Sequence, residues 1–233
     1  MNIAGSRLVA GSALPLPVRL AYIGIMAEDD PTGRRGYHHG NLREALIAAV
    51  KDLIARHGPS GFTFSEAAKA AGVSPAAPYR HFKDRDALIA AVAEQGFTAF
   101  ADHLETAYDK GGPSPIRAFE AVTQAYLTFA ANERAYFTAM FQAGPPQSIE
   151  VKKAGDRAFS ILQRACEGLV RHVPEAKRPP IHMMAYHVWS MCHGIAELFA
   201  HPYGQPRTPI EATDLLEAGT AIYLRGLGLL PDG

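Results

Sequence analysis

The chain of 233 residues is 48% hydrophobic and 20% charged, which supplies ample material for a buried core and excludes global disorder. No stretch approaches the roughly 20 apolar residues of a membrane span, so no membrane partner is expected. The net charge of zero argues at first sight against nucleic acid, but its distribution reverses that argument. Arg34 to Arg85 holds nine Lys and Arg against four Asp and Glu, whereas Asp86 onward holds 12 against 16, so a basic module is joined to a mildly acidic one.

The first 25 residues stand apart. Gly11 to Met26 is moderately apolar, follows Arg7 and contains Pro15 and Pro17, the outline of a signal peptide. Arg19 interrupts the apolar run, and Met26 followed by Ala27, Glu28, Asp29 and Asp30 has the look of an ordinary cytosolic start. Residues 1–33 are therefore read as a disordered extension or a mis-called start, with a targeting signal or an accessory arm as the alternatives. Cys166 and Cys192 sit among apolar residues without CxxC spacing and read as reduced core thiols of a cytoplasmic protein.

Leu42, Leu46, Ala49, Val50, Leu53 and Ile54 recur at helical intervals, predicting a helix from about Asn41 to His57 that Gly58 and Pro59 stop. Thr63-Phe64-Ser65-Glu66 has the form of a capping box opening a short helix, Phe64 to Ala71. Its Ala67, Ala68 and Ala71 permit close approach of a neighbour. Gly72 supplies a tight turn, Val73 plugs the angle, and Ser74 with Pro75 starts a second helix running to about Phe82. Two short helices around a Gly-containing turn make a helix-turn-helix; a plain loop between two core helices has the same local form.

Asp84 caps a long helix expected from Arg85 to about Tyr108, with Leu88, Val92, Gln95, Ala99, Phe100, His103 and Leu104 along one stripe. Further helices are expected at about Pro115 to Ala131, Glu133 to Phe141, Ser148 to Val173, Pro179 to Ala200 and Pro209 to Leu227, each gap punctuated by Pro or Gly. No alternating β-branched run suggests a sheet. The expected fold is all-α: an N-terminal three-helix helix-turn-helix domain, 34–84, joined by a long helix to a C-terminal helical bundle, 85–230.

Gly40-Asn41-Leu42-Arg43, then Thr63 through Gly72-Val73-Ser74, then Tyr79-Arg80-His81-Phe82-Lys83-Asp84-Arg85-Asp86-Ala87-Leu88, closely resembles the N-terminal DNA-binding domain of the TetR family of regulators. Trp189 to Gly194 resembles the Trp-His-Gly signature of one C-terminal domain type in that family. The resemblance implies double-stranded operator DNA, a small-molecule effector and a second copy of the chain as partners, and no cofactor.

Elementary chemistry assigns roles within the match. Ala76 and Ala77 are small enough to let a recognition helix settle into the major groove and touch thymine methyls, and Arg80 is the candidate for a bidentate guanine contact, with a phosphate contact as its alternative. Ser74 and Tyr79 at that helix, and by analogy Thr63, His81, Lys83 and Arg85, are the phosphate candidates, which position without reading sequence. Phe82 is expected to face the core. Arg34, Arg35, His38 and His39 form a basic arm, either solvated or touching the DNA. Pro78 cannot donate to the carbonyl of Ser74, so a slight distortion of the second helix is expected there.

In the C-terminal half, Phe100, Tyr126, Phe137, Phe141, Trp189 and His193 are the pocket candidates; core filling is the plainer role for each, as it is for other large apolar residues such as Phe159. Trp189 and His193, four apart, share a helical face. Val188, Cys192, Ile195, Phe199, Leu216 and Tyr223 are expected at a four-helix dimer contact, with Gly194 permitting close approach. His182, His187, His193 and His201 cluster, but their spacing puts no two at i, i+4 and no HExxH, GxSxG, P-loop or GxGxxG occurs. Neither a metal site nor an enzyme is expected. The expected function is a ligand-responsive repressor acting as a homodimer on a palindromic operator; the alternatives are an activator, or a small-molecule-binding helical protein whose helix-turn-helix is vestigial.

Overall fold

The structure is a computed structural model and describes residues 42–142, 148–200 and 209–231. The extension, the basic arm, Gly40, Asn41 and His201 lie outside the described residues. Among the described residues there are eight α-helices and no strand: α1 (Leu42–His57), α2 (Phe64–Ala70), α3 (Arg85–Lys110), α4 (Pro115–Asn132), α5 (Arg134–Gln142), α6 (Ile149–Val170), α7 (Ile181–Ala200) and α8 (Ala212–Gly226). All lie in one compact unit, His38–Gly233. The long helices fall close to their expected bounds, which fray by a turn at most.

Local chemistry explains the starts and stops. Thr63 has the extended backbone of an N-cap, its hydroxyl accepts from the amide of Glu66 at 3.2 Å, and its own amide donates to Glu66 Oε2 at 2.7 Å. The Thr63 amide and hydroxyl hold the Glu66 carboxyl below its usual pKa. The far end of α2 closes with Gly72 at φ 71°, the Val73 amide donating to Ala68 and that of Gly72 to Lys69, both at 3.0 Å. This is the six-to-one and five-to-two pairing that satisfies a helix's last carbonyls. Asp84 caps α3 through the amide of Ala87 at 2.8 Å, and Ser148 caps α6 through that of Val151 at 3.2 Å.

The segment expected as a second helix, 74–82, differs. It consists of a turn after Ser74 and a 3-10 turn, Pro78–Arg80. Pro78 has no N–H to give Ser74, so the Ser74 carbonyl accepts from Ala77 at 3.0 Å instead, and Arg80 donates to Ala77 at 3.2 Å. The tighter i to i+3 pattern takes over. Pro78 is itself buried.

Two cores are distinct. The N-terminal one gathers Leu46, Ile47 and Val50 of α1, Ala67 of α2, Phe62, Phe82, and Leu88 and Val92 of α3. The larger one gathers Phe119 and Val122 of α4, Ile161 of α6, Met184 and Val188 of α7, and Leu216 and Leu224 of α8. Helices α3, α5 and α6 belong to both, α6 reaching the N-terminal core through Val151. Ala135 and Ala139 of α5 fill the first core, while Phe137 and Met140 fill the second. Because α3 is covered on more than one side, Gln95 and His103 lie off its buried face, against expectation. Gln95 instead donates to Glu44 Oε2 at 2.7 Å.

Thr63→Ala removes both the capping acceptor and a partner of Glu66, and is expected to cost about 1 kcal/mol in urea unfolding. Thr63→Ser is expected to restore most of it. Equal stability of the wild type and the alanine variant would contradict this account of α2.

Candidate functional site

The short turn after Gly72 carries the candidate DNA-reading side chains. Pro78 and Phe82 point inward, Phe82 at 6% exposure as expected, and this pins the backbone between them. Tyr79 is 64% exposed yet its ring meets Phe64 edge-on at 4.8 Å, so the phenol is anchored at its ring and open to solvent elsewhere. Thr63, Ser74, Ala76, Arg80, His81 and Lys83 are exposed or half-exposed around it, and Ala77 is half-buried against the first core. The Arg80 guanidinium has no partner among the described residues. Lys83 lies 3.7 Å from Asp84 and is otherwise solvated.

Arg85 is the least exposed of the phosphate candidates. Its side chain is only 30% exposed, sits over the Phe62 ring at 4.9 Å and donates to the carbonyl of Pro59. It ties the start of α3 to the loop after α1. With Asp86 3.6 Å away as well, the guanidinium is largely occupied within the chain.

Among the candidate pocket residues, Phe100, Tyr126, Phe141 and Trp189 line a cavity of about 220 Å³ bounded by α3, α4, α5, α6 and α7. Phe137 and His193 do not line it. Phe137 is core and faces a second groove, beside Ile54 and Pro59. His193 lies behind Tyr126, its ring 4.7 Å from Phe141 and 5.4 Å from Phe137. Sequence reasoning misses Phe97, Val122, Gly155, Phe159 and Tyr186 of the same wall; Phe159 is one large apolar residue among many, and nothing in spacing singles out Gly155.

A chain of hydrogen bonds crosses the wall. Trp189 Nε1 donates to the Tyr126 hydroxyl at 2.9 Å, and that hydroxyl lies 3.0 Å from His193 Nδ1. The Tyr126 hydroxyl thus has Trp189 as donor on one side and His193 Nδ1 as hydrogen-bond partner on the other. Burial of Tyr126 drives its pKa far above the usual phenol value despite the Trp189 bond. Burial also lowers the pKa of His193 below 6.5, although Glu197 pulls the other way. Both groups are neutral at pH 7.

Three of the candidate dimer residues are corrected by burial. Val188, Cys192 and Leu216 are at most 2% exposed within one chain, because α7 and α8 close over α4 and α6 with that face, so a partner cannot reach them. Ile195, Phe199 and Tyr223 are half-buried, and the Tyr223 hydroxyl lies 3.1 Å from His187 Nδ1. Both cysteines are free and buried, and desolvation pushes each thiol up to about 12. Among the described residues no group of three His, Cys, Asp or Glu could hold a metal ion, and no helix is long and apolar enough to cross a membrane.

Because the folded chain keeps His193 neutral, the unfolded chain binds a proton that the folded one refuses in the window just below pH 6.5. The stabilising contribution is whole above that window and lost as pH falls through it. The drop in melting temperature from pH 7.5 to pH 5.5 (~two units, spanning the ordinary histidine range) is expected to be smaller in His193→Gln than in the wild type. Identical pH dependence by calorimetry would refute the neutral assignment.

Comparison with known proteins agrees with this geometry. Residues 46–92 match the sequence model of the bacterial regulatory proteins of the tetR family, and residues 119–222 match the tetracyclin repressor-like C-terminal domain. Together these two matches account for more than half of the chain, though neither carries the Trp-His-Gly subtype in its description. Among solved structures, a Rhodococcus sp. RHA1 protein of unknown function is 29% identical, with a TM-score of 0.70 over 83% of this chain and 98% of its own. The TetR family transcriptional regulator PfmR of Thermus thermophilus is 19% identical, with a TM-score of 0.59 over 77% of this chain and 97% of its own. The fatty acid degradation regulator FadR of Bacillus halodurans is 14% identical, with a TM-score of 0.62 over 78% and 94%. No curated protein matches the sequence. With both halves matched and the turn, cap and long helix in place, the chain belongs to the tetR family of bacterial regulatory proteins and is a DNA-binding regulator of transcription, not an enzyme.

Proposed function

We propose that the protein is a cytoplasmic, homodimeric repressor that binds a palindromic operator and releases it when a small molecule occupies the cavity walled by Phe100, Tyr126, Phe141 and Trp189. The observation that carries this reading is the exposed turn from Ala76 to Lys83, whose Arg80 has no partner within the described residues while Pro78 and Phe82 fix its base. Arg80 and the methyls of Ala76 and Ala77 read base edges; Thr63, Ser74, Tyr79, His81 and Lys83 hold phosphates. Two such turns, one per protomer, enter successive major grooves about 34 Å apart.

The dimer face lies on the outward stripe of α7, Met183, His187, Ser190, Gly194 and Leu198, with Ile222 of α8 beside it. Met183, Leu198 and Ile222 are 56%, 43% and 70% exposed. A side chain added at Gly194 would meet nothing in the single chain, so its absence serves a neighbour outside it. An effector acts by binding more tightly to the conformation whose turns do not fit the DNA spacing, a shift of population and not a new chemistry. Helix α5, with Phe141 at the cavity and Ala135 and Ala139 in the N-terminal core, links the two.

Replacing Arg80 with Ala is expected to cost about 1–3 kcal/mol of discrimination between operator and random DNA. Lys83→Ala should weaken all DNA alike and lower the slope of log affinity against log salt by about one. Titrations of labelled duplexes at several salt concentrations check both, and an Arg80 variant with undiminished preference contradicts the base-reading role.

Gly194→Arg and Ile222→Glu are expected to convert dimers to monomers in size-exclusion chromatography with light scattering, with little loss of helix content. Unchanged mass in both variants rules out this face as the interface.

A further inference from the structure

We infer that the cavity is built for a small uncharged aromatic compound, about the size of a naphthalene ring system, and this inference rests on the ligand-responsive reading above. Size comes first. A cavity of about 150 Å³ lined by apolar side chains accepts a benzene ring, so the 220 Å³ here admits on the order of ten non-hydrogen atoms.

Shape and chemistry follow from the wall. Rings from several helices close around the space, among them Phe97, Phe100, Phe141 and Phe159. Phe97 meets Phe141 edge-on at 5.5 Å, and Phe159 lies 5.6 Å from Trp189. Such a wall offers faces and edges to a flat ring, which a flexible alkyl chain cannot match.

The polar groups that Trp189, Tyr126 and Thr123 bring to the wall are already used, and the Tyr186 phenol belongs to a side chain that is 42% exposed. Trp189 donates to Tyr126, the Tyr126 hydroxyl is bonded to His193 Nδ1, and the Thr123 hydroxyl donates to the Glu120 carbonyl at 3.0 Å. The Cys192 thiol is a weak donor. A charged group inside would lose its water and find no counter-charge. At the rim Lys152 and Asp156 stand one turn apart with opposite charges, so the mouth does not select an ion of either sign. Gly155 lies between them on α6; a methyl there would sit 3.6 Å from the Phe97 ring, in ordinary contact, and a larger side chain would fill the space.

Trp189 is the chain's one tryptophan, so its indole N–H gives a single resonance in a ¹H–¹⁵N spectrum and reports the cavity wall directly. Titration of the DNA-free protein with 2-naphthol is expected to shift that resonance to saturation at a concentration about tenfold or more below that needed with 2-naphthoate or 1-octanol, since only the first is both flat and uncharged. In Gly155→Leu the shift should vanish, and in Gly155→Ala, which adds only a methyl, it should weaken; circular dichroism checks that both fold. An equal or stronger response to naphthoate or octanol, no response to 2-naphthol, or an undiminished response in a folded Gly155→Leu overturns the inference. Because the titration contains no DNA, any of these outcomes leaves the DNA-binding reading to be judged by the Arg80 and Lys83 titrations alone.

Discussion

The close crossing of α3 and α5 at Gly96 is the constraint on which both cores depend. A Cβ at Gly96 would lie 3.0 Å from Met140 and 3.1 Å from Tyr136, so the missing side chain sets the distance at which α5 packs on α3. With α5 seated there, Ala135 and Ala139 close the N-terminal core and Phe137 and Met140 close the C-terminal one. Interiors packed at crystal-like density transmit small displacements instead of absorbing them. Phe141 at the cavity and Ala135 and Ala139 in the N-terminal core are carried by this one helix. Lys51 of α1, bonded to Glu133 at 2.8 Å and lying over the Tyr136 ring at 3.8 Å, adds a polar tie between those elements.

Polar groups in this chain do different work according to their burial. At the exposed turn Ser74, Tyr79, Arg80, His81 and Lys83 are open to solvent. Around the cavity they are consumed by one another in the Trp189, Tyr126 and His193 chain, and burial favours the neutral forms of Tyr126 and His193. Arg85 shows the third use: a cation placed over Phe62 and bonded to Pro59 stiffens the junction from which α3 leaves the DNA-binding half.

Much of the DNA-binding half is legible in the sequence because its determinants are local. Thr63 and Glu66 are three apart and cap one helix, Gly72 adopts the left-handed turn, and Phe82 falls inward at the period expected of it. Pro78 is recognisable as a missing donor, but its consequence is larger than a slight distortion; in so short a segment, one lost i to i+4 bond leaves the 3-10 pattern to take over from Ser74 onward. The bracing contacts of Arg85 are not legible, since Phe62 and Pro59 lie more than 20 residues back. Val188, Cys192 and Leu216 are buried for a related reason: periodicity finds apolar residues on α7 and α8 but does not say which apolar face the chain itself covers. Gly96 and Gly155 carry no signal at all, since their meaning lies in what stands opposite them on another helix.

The DNA-binding role turns on whether the segment from Ala76 to Lys83 reads sequence. Selection of bound duplexes from a random library, followed by sequencing, measures this for an operator of any composition. The predicted result is enrichment of two inverted half-sites whose centres are about one helical turn, roughly 10 base pairs, or a multiple of it apart. Flat enrichment, with recovery governed by salt alone, would contradict it.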